Sequence, residues 1–388
     1  MKLAPLFAVI TLDLIGFAIV IPILPFFAST YGANGTILGL ILASFPAMQF
    51  FFSPVWGRLS DRIGRRPVLM MTVAGGGIAM VMLAVSHSLA MIFVSRLVAG
   101  ACAANIGVAT AYISDATDEK DRASGMGLIG AAFGIGFVIG QGMGGALAPY
   151  GFAVPLFVAA GLNALNLIQI WFKLPEPQHH RLSRATRDAR RASPWWRHPM
   201  VRALVLLNFL FTFAVSQLES LFAFFMRDRL SYDQQHVGYL LAYTGFIMVL
   251  VQGGLIRRLK MVSETRLLWI GAFILSITFA ALSMADTLRT LLVVLGCSAL
   301  GRGLCQPAML SLVSKDVDEN DRGAVMGSFQ SAASLARIVG PIFGGRLYDW
   351  HAPVPFWTSA VVLLLVALSA PTLRRIAQRS AASSAALR

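Results

Sequence analysis

Residues 118–127 read DEKDRASGMG, and residues 318–327 read DENDRGAVMG. The two copies stand 200 residues apart, and twelve of 34 positions agree without a gap between 114–147 and 314–347. The agreement runs on into the glycines that follow: Gly140, Gly144 and Gly145 recur as Gly340, Gly344 and Gly345. Each copy leads into a long apolar run. Two halves that repeat inside hydrophobic spans predict a pseudo-symmetric pair of helical bundles with a solute path between them.

Composition points the same way. Of 388 residues, 57% are hydrophobic and only 13% charged, more apolar surface than one soluble core hides. Apolar runs of about 20 residues are membrane spans, and each must be helical because lipid offers the backbone no hydrogen-bond partner. Twelve are expected, near 3–27, 37–57, 67–86, 90–113, 123–147, 154–173, 200–226, 236–257, 266–284, 288–311, 323–347 and 354–373. The fold class is therefore an all-α integral membrane protein of twelve helices in two pseudo-symmetric six-helix halves. The expected organisation is 1–173 for the first half, 174–199 for a cytoplasmic linker, 200–373 for the second half and 374–388 for a disordered cytoplasmic tail.

Basic residues set the orientation. With both termini in the cytoplasm, the external loops hold Arg227, Arg229, Arg289 and Arg346. Arg96, Arg302 and Arg337 lie within spans, and the rest of the 32 basic residues are cytoplasmic. The net charge of +14 is thus mostly a topology signal, scattered over the cytoplasmic segments, and not a nucleic-acid surface. The first span contains Asp13 and lacks a small-residue cleavage site, so it reads as a retained helix. The linker carries Arg181, Arg184, Arg187, Arg190 and Arg191, which fit either a surface helix or a solvated basic segment. Cys102, Cys297 and Cys305 fall in spans and read as small packing residues, and no histidine spacing suggests a metal.

Residues 57–67 run Gly57-Arg-Leu-Ser-Asp61-Arg62-Ile-Gly64-Arg65-Arg66-Pro67. The glycines permit a tight turn and close approach, Asp61 sits among arginines and is expected to be paired, and Pro67 suits a first helical turn. This segment resembles the G-x-L-x-D-R-x-G-R-R/K signature of the major facilitator superfamily. Thr11-Leu12-Asp13 with Gly16, Pro22 and Pro25 resembles the first-helix motif of its twelve-span drug–proton antiporters. Arg96 with Gly100 resembles their fourth-helix R-x-x-x-G motif. The run Ala111 to Asp118, with Asp121-Arg122-Ala123, resembles the tetracycline–proton antiporters. The antiporter motif G-x-x-x-G-P-x-x-G-G is matched by Gly136, Gly140, Gly144 and Gly145, with Gln141 in place of proline. The second half keeps Gly340-Pro341 with Gly344 and Gly345.

The resemblance implies a conformational lock built of Gly57, Asp61, Gly64, Arg65, Asp115 and Arg122, with Arg65 pairing with Asp115. It also implies a helix-packing role for the glycines, here read as the rocking surface between halves. Ionisable groups deep in spans are candidate functional sites. Asp13 lies roughly 15 Å from the cytoplasmic end of its span. It is expected to be the main proton-coupling acid, tuned by Arg96, and the rival reading is a fixed ion pair. Glu219 is the second candidate, with Arg337 or Arg302 as a partner that would silence it. The expected substrate path, implied by spans one, four, seven, ten and their neighbours, offers Phe17, Gln49, Asn105, Phe133, Asn208, Phe213, Gln217, Tyr243, Gln306 and Phe329. Aromatics with a few amides suit an amphipathic ligand.

These readings predict a proton-coupled exporter of drug-like or tetracycline-like compounds. It is expected to work by alternating access as a monomer in the inner membrane, driven by the proton gradient without a cofactor. A carrier of a metabolite such as a sugar or organic anion is the alternative. A membrane enzyme acting on lipid precursors would need a clustered nucleophile, histidine–acid or metal constellation, which the sequence lacks. No G-x-x-x-x-G-K-S/T loop is present, which argues against ATP as the energy source.

Overall fold

Hydrocarbon leaves an unpaired peptide group nowhere to turn, and the chain answers with helix throughout. A computed structural model describes residues 3–103, 105–117, 119–177, 199–259, 262–315 and 322–386. The first half holds α1 (Ala4–Ser29), α2 (Gly35–Ile63), α3 (Arg65–Ala84), α4 (Leu89–Cys102), α5 (Asn105–Ala116), α6 (Glu119–Leu147) and α7 (Ala153–Lys173). The second holds α8 (Pro199–Leu230), α9 (Gln234–Leu250), α10 (Glu264–Leu282), α11 (Leu288–Lys315), α12 (Arg322–Trp350) and α13 (Val354–Ala386). No strand occurs among the described residues.

Helix ends are set by local chemistry. Asn34 caps α2 by accepting from the Ile37 N–H at 2.9 Å, and Ser88 caps α4. Gly64, at φ +106°, ends α2 and opens α3 without an intervening loop. Asp233 caps α9 through the His236 N–H at 2.9 Å.

Eleven helical spans among the described residues are long and apolar enough to cross a membrane. The remaining expected span, 323–347, forms as the 29-residue α12, whose glycines, serines and arginines make it less apolar than the rest. Three expectations change. Span four is not continuous, because α4 ends at Cys102 and α5 begins at Asn105. Span eight leaves α-geometry for a π turn at Val251–Leu255 before ending at Arg258. The tail expected to be disordered continues as helix to Ala386, as its alanine content favours. Most of the expected linker, residues 178–198, lies outside the described residues.

The chain divides into two compact units, Met1–Arg181 with Ser220–Phe246, and Leu182–Glu219 with Ile247–Arg388. In the first, α1 packs on α6 and α7, and α3 on α7 and α4. Its buried core joins Leu6, Val9, Ile10 and Leu14 of α1 to Val68, Leu69 and Val73 of α3 and to Val108, Tyr112 and Ile113 of α5. In the second, α10 packs against α11 and α13.

Candidate functional site

The cytoplasmic motif closes around Arg65, a buried arginine at the start of α3. Its Nη1 pairs with Asp61 Oδ1 at 2.7 Å and meets Ser60 Oγ at 2.6 Å, while its Nε donates to Asp115 Oδ2 at 2.9 Å. One guanidinium thus ties the end of α2 to the end of α5, using the fixed fork that lysine lacks. The expected Arg65–Asp115 contact is present in this geometry.

Sequence reasoning missed Glu176. Its two carboxylate oxygens accept from the backbone N–H groups of Arg65 at 2.5 Å and Arg66 at 2.9 Å, which places an acid on the positive end of α3. A Cβ on Gly64 would stand 2.8 Å from that carboxylate, so position 64 is restricted by both backbone and space. Tyr112 donates to the Pro175 carbonyl at 2.6 Å, and Arg66 bonds the Trp171 carbonyl and covers its ring. Residues 171–176 therefore fasten the motif from the far side. Gly57 departs from expectation: it sits inside α2 with nothing within 4 Å of a built Cβ, so neither a turn nor a close approach requires it. The Arg122 side chain lies outside the described residues.

Asp13 stands opposite the interruption of span four. Asn105, the first residue of α5, donates from Nδ2 to Asp13 Oδ1 at 2.7 Å. The interruption frees backbone carbonyls, and α2 supplies their donors: Gln49 Nε2 to Ala103 O at 2.8 Å and Trp56 Nε1 to Ala101 O at 2.6 Å. Such a break is tolerated at membrane depth only where neighbours satisfy it. Asn105 Oδ1 is buried without a partner. Arg96 is buried and lies over the Phe45 ring, 5.1 Å from its centroid, and no ion pair joins it to Asp13 among the described residues. The expectation that Arg96 tunes Asp13 by direct pairing is not met in this conformation, because the aromatic face holds the guanidinium.

Span one is gripped further by α7. Asn166 donates to the Val9 carbonyl at 3.0 Å and Gln169 to the Pro5 carbonyl at 3.1 Å. Asn163 fits against Gly16, Gly76 and Gly77. Three amides at three-residue steps in an apolar span were a readable signal for this face.

The glycines of α6 seat α1. Built Cβ atoms on Gly136, Gly140 and Gly144 would fall 2.6 Å from Leu14 Cβ, 2.5 Å from Ile15 O and 2.6 Å from Ile19 O. This corrects the reading of the stripe as a surface between halves: its four-residue spacing faces a helix of the same unit. Gly145 instead opposes Gly238 of α9, with a built Cβ 3.1 Å from the Gly238 Cα. In the other unit, Gly340 lies beside the Phe213 carbonyl, and Pro341, Gly344 and Gly345 are buried on α12.

That second unit pairs Arg302 with Glu219. Arg337 is exposed and has no ion pair or hydrogen bond among the described residues. Several expected substrate contacts turn out to hold structure together. Asn208 donates to the Phe329 carbonyl at 2.8 Å, so both groups are spent within the unit. Gln217 is fully buried, and its Oε1 takes the Thr358 hydroxyl at 3.5 Å. Gln49 is held by the Ala103 carbonyl. Phe213 stacks on Phe209 with centroids 6.2 Å apart, while Phe17 lies 5.1 Å from Phe45 and Phe133 5.9 Å from Phe137. Tyr243 is half-buried and Gln306 exposed.

A helical membrane protein built from an internal repeat, with charged groups at membrane depth and an interrupted span, is a solute transporter by architecture. The sequence profile of the Major Facilitator Superfamily matches residues 6–341, and the chain belongs to that family. It is 32% identical over 390 residues to the tetracycline resistance protein, class C, of Escherichia coli, covering 97% of each chain. It is 28% identical to multidrug resistance protein 2 of Bacillus subtilis (strain 168), covering 90% of each. Among solved structures, the human organic anion transporter MFSD10 (TETRAN) superposes with a TM-score of 0.72 at 25% identity, covering 95% of this chain and 98% of that one. The nucleoside transporter NupG gives 0.81 at 17% or less identity across its two forms, a likeness of fold alone. The protein is thus a multi-pass membrane transporter and not an enzyme.

Proposed function

We propose that this protein exports drug-like amphipathic compounds in exchange for protons, by alternating access in the inner membrane with both termini cytoplasmic. The observation that carries the reading is the Asp13–Asn105 bond at the interruption of span four. The names of the tetracycline and multidrug resistance relatives support export as the direction.

Asp13 is the coupling acid in this reading. A carboxylate takes its proton where water reaches it from outside and yields it where water reaches it from the cytoplasm. Asn105 senses the change, because its amide donates to a carboxylate and accepts from a carboxylic acid. Its other end of α5 carries Asp115, which meets Arg65. The half-helix thereby links the proton site to the cytoplasmic lock. Glu219 plays the lesser part, since Arg302 already answers its charge. No cofactor enters the scheme, and the monomer suffices.

The test uses purified protein in liposomes with an imposed proton gradient and a pH dye inside. A drug panel that includes tetracycline is added to wild type, Asp13→Asn and Glu219→Gln. Drug-triggered proton movement lost in Asp13→Asn and kept in Glu219→Gln is the expected result. Movement of a metabolite with no response to any drug would move the assignment to a metabolite carrier.

A further inference from the structure

The helix α12 presents three faces. Phe329, Ala333, Ala336 and Gly340 are buried against the unit, with the Ala336 carbonyl accepting from Ser216 at 3.3 Å. At 100° per residue, Leu335, Val339 and Phe343 fall within an arc of about 80°, and all three are exposed and apolar. Gln330, Ser331, Ser334 and Arg337 fall within a separate arc of about 120°. Of these, Gln330, Ser331 and Arg337 are exposed and Ser334 is half-buried. An apolar exposed stripe suits lipid. A polar exposed stripe beside it, ending in a guanidinium, would be costly there and belongs against water.

The charges of this unit do not balance at that depth. Arg302 is matched by Glu219, so the acid is answered. Arg337 has no such partner among the described residues. One positive charge is left over on a water-facing stripe, and it is an arginine, whose planar fork takes both oxygens of a carboxylate.

We propose that Arg337 is the recognition residue for an acidic group on the transported compound, so that the substrates are amphiphiles bearing a carboxylate or similar anion. The inference rests on the reading of the chain as an exporter of amphipathic compounds, and names their class. Gln330, Ser331 and Ser334 extend the same stripe toward the cytoplasmic end of α12 and offer hydrogen bonds to the polar parts of such a molecule.

The experiment is an equilibrium titration in nanodiscs with no proton gradient, using a fluorescent naphthalene carboxylate and its primary amide. In discs of phosphatidylcholine alone, wild type is expected to bind the acid about tenfold more tightly than the amide, as a charged hydrogen bond warrants. Arg337→Gln brings the ratio near one, and Arg337→Lys, which keeps the charge and reports on folding, retains part of it. Asp13→Asn leaves the ratio unchanged, and so separates this site from proton coupling. Equal binding of acid and amide to wild type, or an unchanged preference in Arg337→Gln, overturns the proposal. Loss of the preference when phosphatidylglycerol is added would assign the guanidinium to a lipid headgroup and overturn the solute reading. If drug–proton exchange fails while the acid preference stands, the export reading falls and this site remains.

Discussion

Asn105 donates to Asp13 at 2.7 Å, and it is the first residue of the same short helix whose last turn carries Asp115. Ten residues of α-helix separate the two, about 15 Å. Asp115 in turn meets Arg65, so a proton site in span one and a paired arginine at the cytoplasmic end are joined by one rigid rod. The rod is free to tilt at its upper end because span four is interrupted there, with Gln49 and Trp56 attending the exposed carbonyls.

A coupled pair of this kind shows itself in a double-mutant cycle. Asp13→Asn is expected to abolish drug-driven proton flux. Asn105→Ala keeps the acid and removes its donor, and should lower flux severalfold at unchanged protein level. The double variant should be no worse than Asp13→Asn. Flux in Asn105→Ala equal to wild type would show that the bond seen between them carries no part of the coupling.

Position 64 joins two separate constraints. Its φ of +106° favours glycine, and its Cβ would meet the Glu176 carboxylate. Gly64→Ala is therefore expected to cost more than the roughly 1 kcal/mol of backbone strain alone. Glu176→Gln keeps the hydrogen-bonding oxygen on one side and removes the charge at the positive end of α3, a loss of about 0.5–1 kcal/mol. Thermal unfolding in detergent checks both, and the order Gly64→Ala below Glu176→Gln in midpoint is the decisive reading.

Much of this was legible before any coordinates. Apolar runs placed the spans, and arginine counts oriented them, because length and hydropathy act residue by residue. The Arg65–Asp115 contact was legible because a motif with fixed spacing brought both ends to one face of the bilayer. The break at Ala103 was not. Nothing at 100–106 breaks a helix strongly, and its stability depends on Gln49 and Trp56, more than 40 residues away. The substrate list failed for a related reason: Asn208, Gln217 and Gln49 are amides in greasy helices, and whether an amide greets a ligand or a neighbouring carbonyl is decided by packing. The amides of α7 and the acid at 176 were passed over because attention went to charges inside spans.

The cap of α9 gives a pH signature outside the membrane. Partial burial pushes the Asp233 carboxyl up, but bonds from the His236 backbone and ring, its charge and the Gln235 N–H together hold it below its ordinary 3.8. A carboxylate depressed in the fold contributes stability that is full above the ordinary value and lost as pH falls through the lower folded one. Asp233→Asn should keep the cap and remove this acid dependence. Unfolding midpoints of the two proteins from pH 5 down to about pH 2 should differ in slope only in the acid arm, below the ordinary carboxylate range. Parallel curves would mean the cap does not respond to its charge.

The glycines of α6 separate into two groups that composition cannot distinguish. Gly140 and Gly144 press on carbonyl oxygens of α1, whereas Gly127 and Gly130 have nothing within 4 Å of a built Cβ. Gly140→Ala and Gly144→Ala must push α1 outward, against backbone that has nowhere to yield, and are each expected to cost about 1–3 kcal/mol. Gly127→Ala and Gly130→Ala meet open space and exchange a flexible residue for a strong helix former, so they should be neutral or stabilising by up to about 1 kcal/mol. Because Ile15 and Ile19, which Gly140 and Gly144 support, lie within two turns of Asp13 on α1, the first pair should also slow transport, and the second should not. Equal effects across all four positions would mean that α1 does not rest on α6 as closely as these glycines require.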